Sequence, residues 1–196
     1  FEETGDVDFA YELPGLARYR ANFFQQKYGI AAVFREIPSK IATCVELGMP
    51  SVIAKLAMLP RGLVLVTGPT GSGKSTTLAA IIDEANRLRR DHIITIEDPI
   101  EYRFKPKKAF IEQREVGVHV PSFNQGLLDV LRESPDVIFV GELREPDTIR
   151  LTLNAAESGH LVFATLHATD AEDAIYRINN CVSGESQEVI RYQFAS

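Results

Sequence analysis

The stretch Gly68-Pro-Thr-Gly-Ser-Gly-Lys-Ser75 constrains the fold more than any other part of the chain. It follows the apolar run Leu63-Val64-Leu65-Val66, whose length and composition suit a strand buried on both faces of a parallel sheet. It precedes a segment in which Leu78, Ile81, Ile82, Ala85 and Leu88 share one helical face. Between the two, the glycines let the backbone curl so that several N–H groups point at one anion. The helix N-terminus adds its partial positive charge. The spacing is G-x-x-x-x-G-K-[ST] in full, in the strand–loop–helix context that gives it meaning. Gly68, Pro69, Thr70, Gly71, Ser72, Gly73, Lys74, Ser75 and Thr76 are therefore the candidate phosphate cradle. Lys74 is placed to reach the β and γ phosphates, and the Ser75 hydroxyl to ligate Mg2+. The expected ligand is a nucleoside triphosphate.

The same alternation of strand and helix continues downstream. Ile93 to Ile96, Val137 to Val140 and Leu161 to Leu166 read as strands. Phe123, Leu127, Val130 and Leu131 mark a helix. Pro146 opens another that carries Ile149, Leu153 and Ala156, since proline is tolerated in a first turn. Asp170 reads as the N-cap of a last helix through Ala171, Ala174, Ile175 and Ile178. The order βαβαβαβα predicts a parallel, three-layer α/β domain.

A phosphate loop needs an acidic partner at the end of a neighbouring strand. Val137-Ile-Phe-Val140 is followed by Gly141, where a conventional motif would carry Asp, and then by Glu142. Glu142 is the candidate to polarise an attacking water. A second acidic cluster, Glu97-Asp98-Pro99-Ile100-Glu101, follows Ile93 to Ile96. Ligands of parallel sheets sit beyond the carboxyl ends of the strands, so both acidic groups can share a cleft with the loop. His160 and His167 bracket the strand Leu161 to Leu166. Their odd separation puts them on opposite faces, which argues against a two-histidine metal site. His167 falls at the cleft end, and His160 at the other.

Before residue 38 the rhythm has period two. Val7, Phe9, Tyr11 and Leu13 alternate with polar or small residues, and Pro14-Gly15 makes a turn. Arg18, Arg20 and Asn22 then share one face of a second strand, with Ala17, Tyr19, Ala21 and Phe23 on the other. In a third run, Ile30 to Ile37, Arg35 shares parity with Ala31 and Val33, which puts it at a strand end or beside a bulge. The expected organisation is a small domain over 1–38, a linker over 39–50 and an α/β domain carrying the phosphate loop over 51–196.

Composition excludes several classes. Lys plus Arg number 21 against 27 Asp plus Glu, a net charge of −6, which disfavours a general nucleic-acid binder. The short basic clusters Lys105 to Lys108 and Arg87 to Arg90 read as solvated surface. Two cysteines, Cys44 and Cys181, form no metal spacing and no disulfide framework, so a cytosolic setting is expected. Apolar runs reach only about five residues, against the ~20 that cross a bilayer. The chain opens at Phe1 and stops at Ser196 amid a helix-like face of Val189, Ile190, Gln193 and Phe194, so both ends read as cut.

These residues carry a resemblance. GPTGSGKST (68–76), ITIEDPIEY (94–102), LRESPDVIFVGELRE (131–145) and AAESGHLVFATLHA (155–168) resemble the Walker A, Asp box, Walker B and His box of the type II/IV secretion ATPase superfamily. QREVG (113–117) is similar to the pilus-retraction branch, the PilT-like twitching-motility ATPases. LARYRANFFQQ resembles the end of the PAS-like domain that precedes their RecA-like core. The resemblance implies an ATP-hydrolysing homohexamer at the cytoplasmic face of the inner membrane, acting on a pilus platform protein. Carried over by motif, Lys74 and Ser75 hold phosphate and Mg2+, and Glu142 is the base. Glu97, Asp98 and Glu101 form the acidic box, with Asp98 on the metal side, and His160 and His167 are the His-box pair. Arg18, Arg20 and Arg35 are similar to small-domain arginines that approach the nucleotide.

Glu145, Ser158, Ala168 and Val118-His119-Val120 depart from the family pattern without removing a group that hydrolysis needs. The competing readings are a pilus-extension or type II secretion assembly ATPase, and a RecA-like nucleic-acid motor. The acidic balance and the missing aromatic-basic stripe disfavour the last.

Overall fold

The computed structural model describes residue 1, residues 4–38 and residues 40–181. The helix face suggested for Val189, Ile190, Gln193 and Phe194 lies outside them. The chain divides into two compact units, one of Phe1–Ile41 with Glu101–Arg103, the other of Ala42–Ile100 with Phe104–Ser196.

The smaller unit is a three-stranded antiparallel meander of β1 (Asp6–Leu13), β2 (Ala17–Gln26) and β3 (Gly29–Ile37). The Pro14-Gly15 turn sets the first register, pairing Glu12 with Arg18 and Leu13 with Ala17. One face is aromatic. Phe9 stacks on Phe23 with ring centroids 5.5 Å apart, and Phe34 meets Phe23 and Tyr19 edge-on. The half-buried strand expected over Val7 to Leu13 is mostly exposed, with Tyr11 46% accessible. A three-stranded sheet has little apolar area of its own with which to cover that face.

The larger unit holds a five-stranded parallel sheet in the order β4-β8-β7-β5-β6. Its strands are β4 (Gly62–Thr67), β5 (His92–Glu97), β6 (Phe110–Glu115), β7 (Val137–Val140) and β8 (Leu161–Leu166). Its helices are α1 (Ser51–Leu56), α2 (Lys74–Leu88), α3 (Phe123–Val130), α4 (Pro146–Glu157) and α5 (Ala171–Cys181). Alternation along the strands divides the core. Ile94, Ile96, Ile138, Val140, Val162, Ala164 and Leu166 pack with α3, α4 and α5. The opposite parity, Ile93, Val137, Leu161 and Phe163, is equally buried, as are Leu78, Ile81 and Ile82 of α2. Each such fully buried side chain contributes on the order of 1.5–3 kcal/mol by leaving water.

One expectation is corrected, and two elements are added to those the sequence suggested. β4 is only half-buried along its length, because among the described residues it forms one edge of the sheet instead of an interior strand. β6 was not legible. It is the other edge, its sequence FIEQRE alternates charge with few apolar residues, and residues 98–109 cross over to it without a helix. The connector expected up to Pro50 gives way at once to α1, a six-residue helix with no buried residue.

Candidate active site

Geometry at the carboxyl end of the sheet follows from strand register. Thr67 of β4 lies beside Leu166 of β8, Val140 of β7 beside Ala164, and Ile96 of β5 beside Val140. Extending each strand by one or two residues brings Gly68, His167, Glu142 and Asp98 to the same rim. From β4 to β7 is two strand spacings, roughly 10 Å. That gap is wide enough for a phosphate chain and a water between loop and carboxylate.

The loop is built as its glycines require. Gly68, Gly71 and Gly73 have φ of 149°, 80° and 94°, values that side-chain-bearing residues rarely adopt. Gly68 is constrained twice, since a Cβ there would meet Ser72 Oγ at 2.6 Å. Gly73 caps α2 in the left-handed conformation with no side-chain cap bond, so the first N–H groups of the helix face the loop. Lys74 Nζ donates to Gly68 O at 2.8 Å and Pro69 O at 3.0 Å, which folds the ammonium over the loop. Ser75 follows in the first turn of α2.

Glu142 is held from both sides of its peptide. Gly141 N donates to Ile96 O at 2.8 Å, and Leu143 N to Thr165 O at 2.9 Å. The Thr165 hydroxyl donates to Gly141 O. Gly141 also explains the missing Asp of the conventional motif. A Cβ at this position would stand 3.1 Å from Ile96 O and 3.3 Å from Glu97 Cα, both backbone atoms of the adjacent strand. The acidic group therefore moves one residue on, to Glu142. Its Oε1 is 3.1 Å from His167 Nε2, and its Oε2 is 2.5 Å from Arg144 Nη2. The hydrogen bond to Glu142 raises the Arg144 pKa above the ordinary guanidinium value, with lesser electrostatic help from Glu142 and Asp98.

Glu97, at the end of β5, is buried. The Thr95 hydroxyl donates to its Oε1 at 2.7 Å and Gln113 Nε2 at 3.0 Å. Asp98, one residue on, is exposed toward the rim. Glu101 groups with the smaller unit instead. His160 is at the amino end of β8, about 20 Å from His167 by strand rise. Its Nδ1 lies 2.9 Å from Ala155 O and 3.1 Å from Ser158 Oγ, contacts that tie the end of α4 to β8. The structure thus brings His167 to the rim beside Glu142 and leaves His160 at the opposite end of β8.

In the smaller unit Arg20 pairs directly with Arg35 and Arg18 with Ile37, so all three arginines share one face. Arg35 sits within an unbroken register, which removes the bulge. The same face carries Asp8 and Glu12 of β1, so it is mixed in charge and not simply basic. Arg20 Nε is 3.5 Å from Asp8 Oδ1, and Arg103 Nη1 is 2.5 Å from Glu12 Oε2.

Sequence reasoning missed Arg144, Thr165, Gln113 and Thr95. Two of these had a local signal, because Glu142 and Arg144, and Thr95 and Glu97, are i, i+2 pairs at strand ends. The other two reach the site only through strand order. As for the metal, Ser75 and Asp98 offer hard oxygen donors of the kind Mg2+ takes. No group of three or more His, Cys, Asp or Glu residues among the described ones could hold an ion alone. The donor set fits an ion that brings most of its ligands as phosphate oxygens and water.

Comparison with known proteins gives the family. The family described as type II/IV secretion system protein matches residues 27–189. The chain is 53% identical over 191 residues to the type IV pilus retractation ATPase PilT of Pseudomonas aeruginosa, covering 97% of this chain and 56% of that one. It is 52% identical over 191 residues to a twitching motility protein of Neisseria gonorrhoeae, covering 97% and 51%. The crystal structure of the pilus retraction motor PilT with bound ADP superposes with a TM-score of 0.94 at 50% identity, over 98% of this chain and 56% of that one. The chain spans about half the length of the relatives it matches. A family match over residues 27–189 and relatives more than 50% identical over nearly the whole chain show that the chain belongs to the type II/IV secretion system protein family.

Proposed function

We propose that this chain is the nucleotide-hydrolysing part of a hexameric ATPase that powers type IV pilus retraction. The observation that carries the reading is Glu142, fixed at the rim of the parallel sheet on the same level as the Gly68–Ser75 loop. The 53% identity to a pilus retractation ATPase supplies the direction of the work. In this reading the five-stranded sheet is a RecA-like core, residues 1–38 close a small PAS-like domain, and residues 39–50 link the two. ATP is the substrate, and Mg2+, when bound, would supply charge neutralisation at its phosphates. Loop N–H groups and Lys74 bind the phosphates, while Ser75 and Asp98 face the metal. Glu142 accepts a proton from the attacking water, and His167 holds the carboxylate in place. Glu97 fixes the end of β5, and Glu101 completes the acidic box. His160 braces the α4–β8 corner. Arg18, Arg20 and Arg35 supply cations that act on transition-state charge. The motor works at the cytoplasmic face of the inner membrane against a platform protein. No helix among the described residues is long and apolar enough to cross a membrane.

The test is made in the full-length protein. Glu142→Gln should keep ATP binding and slow turnover by on the order of 10²–10⁴. Lys74→Ala should weaken ATP binding as well, because it removes a charge contact to the phosphates. In a bacterium lacking its retraction motor, the wild-type gene should restore twitching and Glu142→Gln should not. Normal turnover by Glu142→Gln, or strong stimulation by single-stranded DNA, would overturn the reading.

A further inference from the structure

The Glu142 carboxylate is engaged at both oxygens. His167, one residue past β8, takes Oε1, and Arg144, two residues along from Glu142, takes Oε2. The two contacts act on different freedoms. Backbone bonds at Gly141 and Leu143 fix where the Glu142 peptide sits, but they leave the side-chain torsions open. A single donor at Oε1 would restrain distance and still allow the carboxylate to rotate about that contact. A second donor at Oε2 sets the plane. Leu143, buried between the two charged residues, anchors the segment from the other side, so Glu142 and Arg144 both emerge toward the rim. The Glu142 side chain is 18% accessible and that of Arg144 68%, so the carboxylate is the sheltered partner and the guanidinium the solvated one. An ion pair with so solvated a guanidinium adds little to stability. Its consequence lies in orientation.

Resting on the reading of Glu142 as the base, we propose that Arg144 is a positioning residue for hydrolysis, fixing the plane of the Glu142 carboxylate against His167. Because Arg144 acts through Glu142, its removal costs turnover only while Glu142 can act as a base. A misplacement of about 1 Å at a reacting group can cost up to ~10²-fold. Loss of one of two tethers should therefore cost about 10-fold in kcat.

The experiment compares Arg144→Gln, Glu142→Gln and the double variant in the full-length protein, reading kcat, KM for ATP and melting temperature. Arg144→Gln is expected to lower kcat about 10-fold with KM and melting temperature unchanged. Added to Glu142→Gln, it should change kcat by less than about twofold, the non-additivity of residues that act as a unit. Arg144→Lys, which offers a point charge in place of a planar fork, should fall between wild type and Arg144→Gln. Unchanged or raised kcat in Arg144→Gln overturns the proposal. So does an equal loss in both backgrounds, which would mean that Arg144 acts on something other than Glu142. Near-normal turnover by Glu142→Gln alone is a different failure, that of the base assignment itself.

Discussion

At the scale of single residues, the site depends on a position with no side chain at all. Gly141 lies where β7 and β5 come closest, and a methyl group there would press on Ile96 O and Glu97 Cα. Neither backbone atom can yield without moving β5, whose residues are buried throughout this stretch. Gly141→Ala is therefore expected to destabilise the protein by about 1–3 kcal/mol, the usual cost of overpacking. It should also displace Glu142, so kcat should fall with the midpoint of urea unfolding. A variant with wild-type midpoint and wild-type kcat would show that the strand ends can part freely. Legibility at this scale was uneven. The loop residues and Glu142 are chemically distinctive and could be read directly. Gly141 could be seen to replace an acid, but its reason is a distance to a strand more than forty residues away in the chain.

Secondary-structure elements were read well where burial was one-sided or complete, and poorly where it was not. β7 and β8 are four and six buried residues bounded by polar ones, and their observed ends coincide with the apolar runs. β6 carries Glu112, Arg114 and Glu115, and its pairing to β5 overrides a sequence with weak strand character. One amide on α2 holds the later part of the path to β6. Asn86 is fully buried, its Nδ2 donates to Lys105 O at 2.9 Å, and its Oδ1 accepts from Lys107 N at 3.1 Å. Lys108 N and Ala109 N donate to its backbone carbonyl. Asn86→Ala would leave the loop's amide and carbonyl without these partners, a cost of about 1–3 kcal/mol. Hydrogen exchange should then speed first at residues 105–110 and along β6. Exchange that rises uniformly, or not at all, would contradict this role for Asn86.

The whole molecule raises the question of how the arginine face is used. Arg18, Arg20 and Arg35 share one side of the small sheet, and Arg20 faces Arg35 directly, an arrangement that costs energy unless anions lie nearby. Asp8 supplies one such anion at Arg20. No ion pair of Arg35 is present among the described residues. If these cations serve a nucleotide in a neighbouring subunit of a ring, defects in different subunits should complement. Mixing Arg20→Gln subunits with Glu142→Gln subunits should restore part of the ATPase rate that each lacks alone. Activity no higher than the sum of the separate proteins would place both groups in one subunit's site, or remove the arginine from catalysis.

The linear sequence determined what depends on neighbours along the chain. It specified the phosphate loop, the helix faces, the change of rhythm near residue 38 and the acidic residues at strand ends, because each is set by local conformation and periodicity. Tertiary structure decided what depends on which strands become neighbours. Only the order β4-β8-β7-β5-β6 puts β4 at an edge, brings His167 against Glu142 and lets Gln113 reach Glu97. Only the register of β1 on β2 adds Asp8 and Glu12 to the arginine face. The physical reason is the same in each case. Side-chain alternation fixes the face a residue takes on its own strand, but its partners are chosen by long-range pairing, which leaves no periodic trace in the chain.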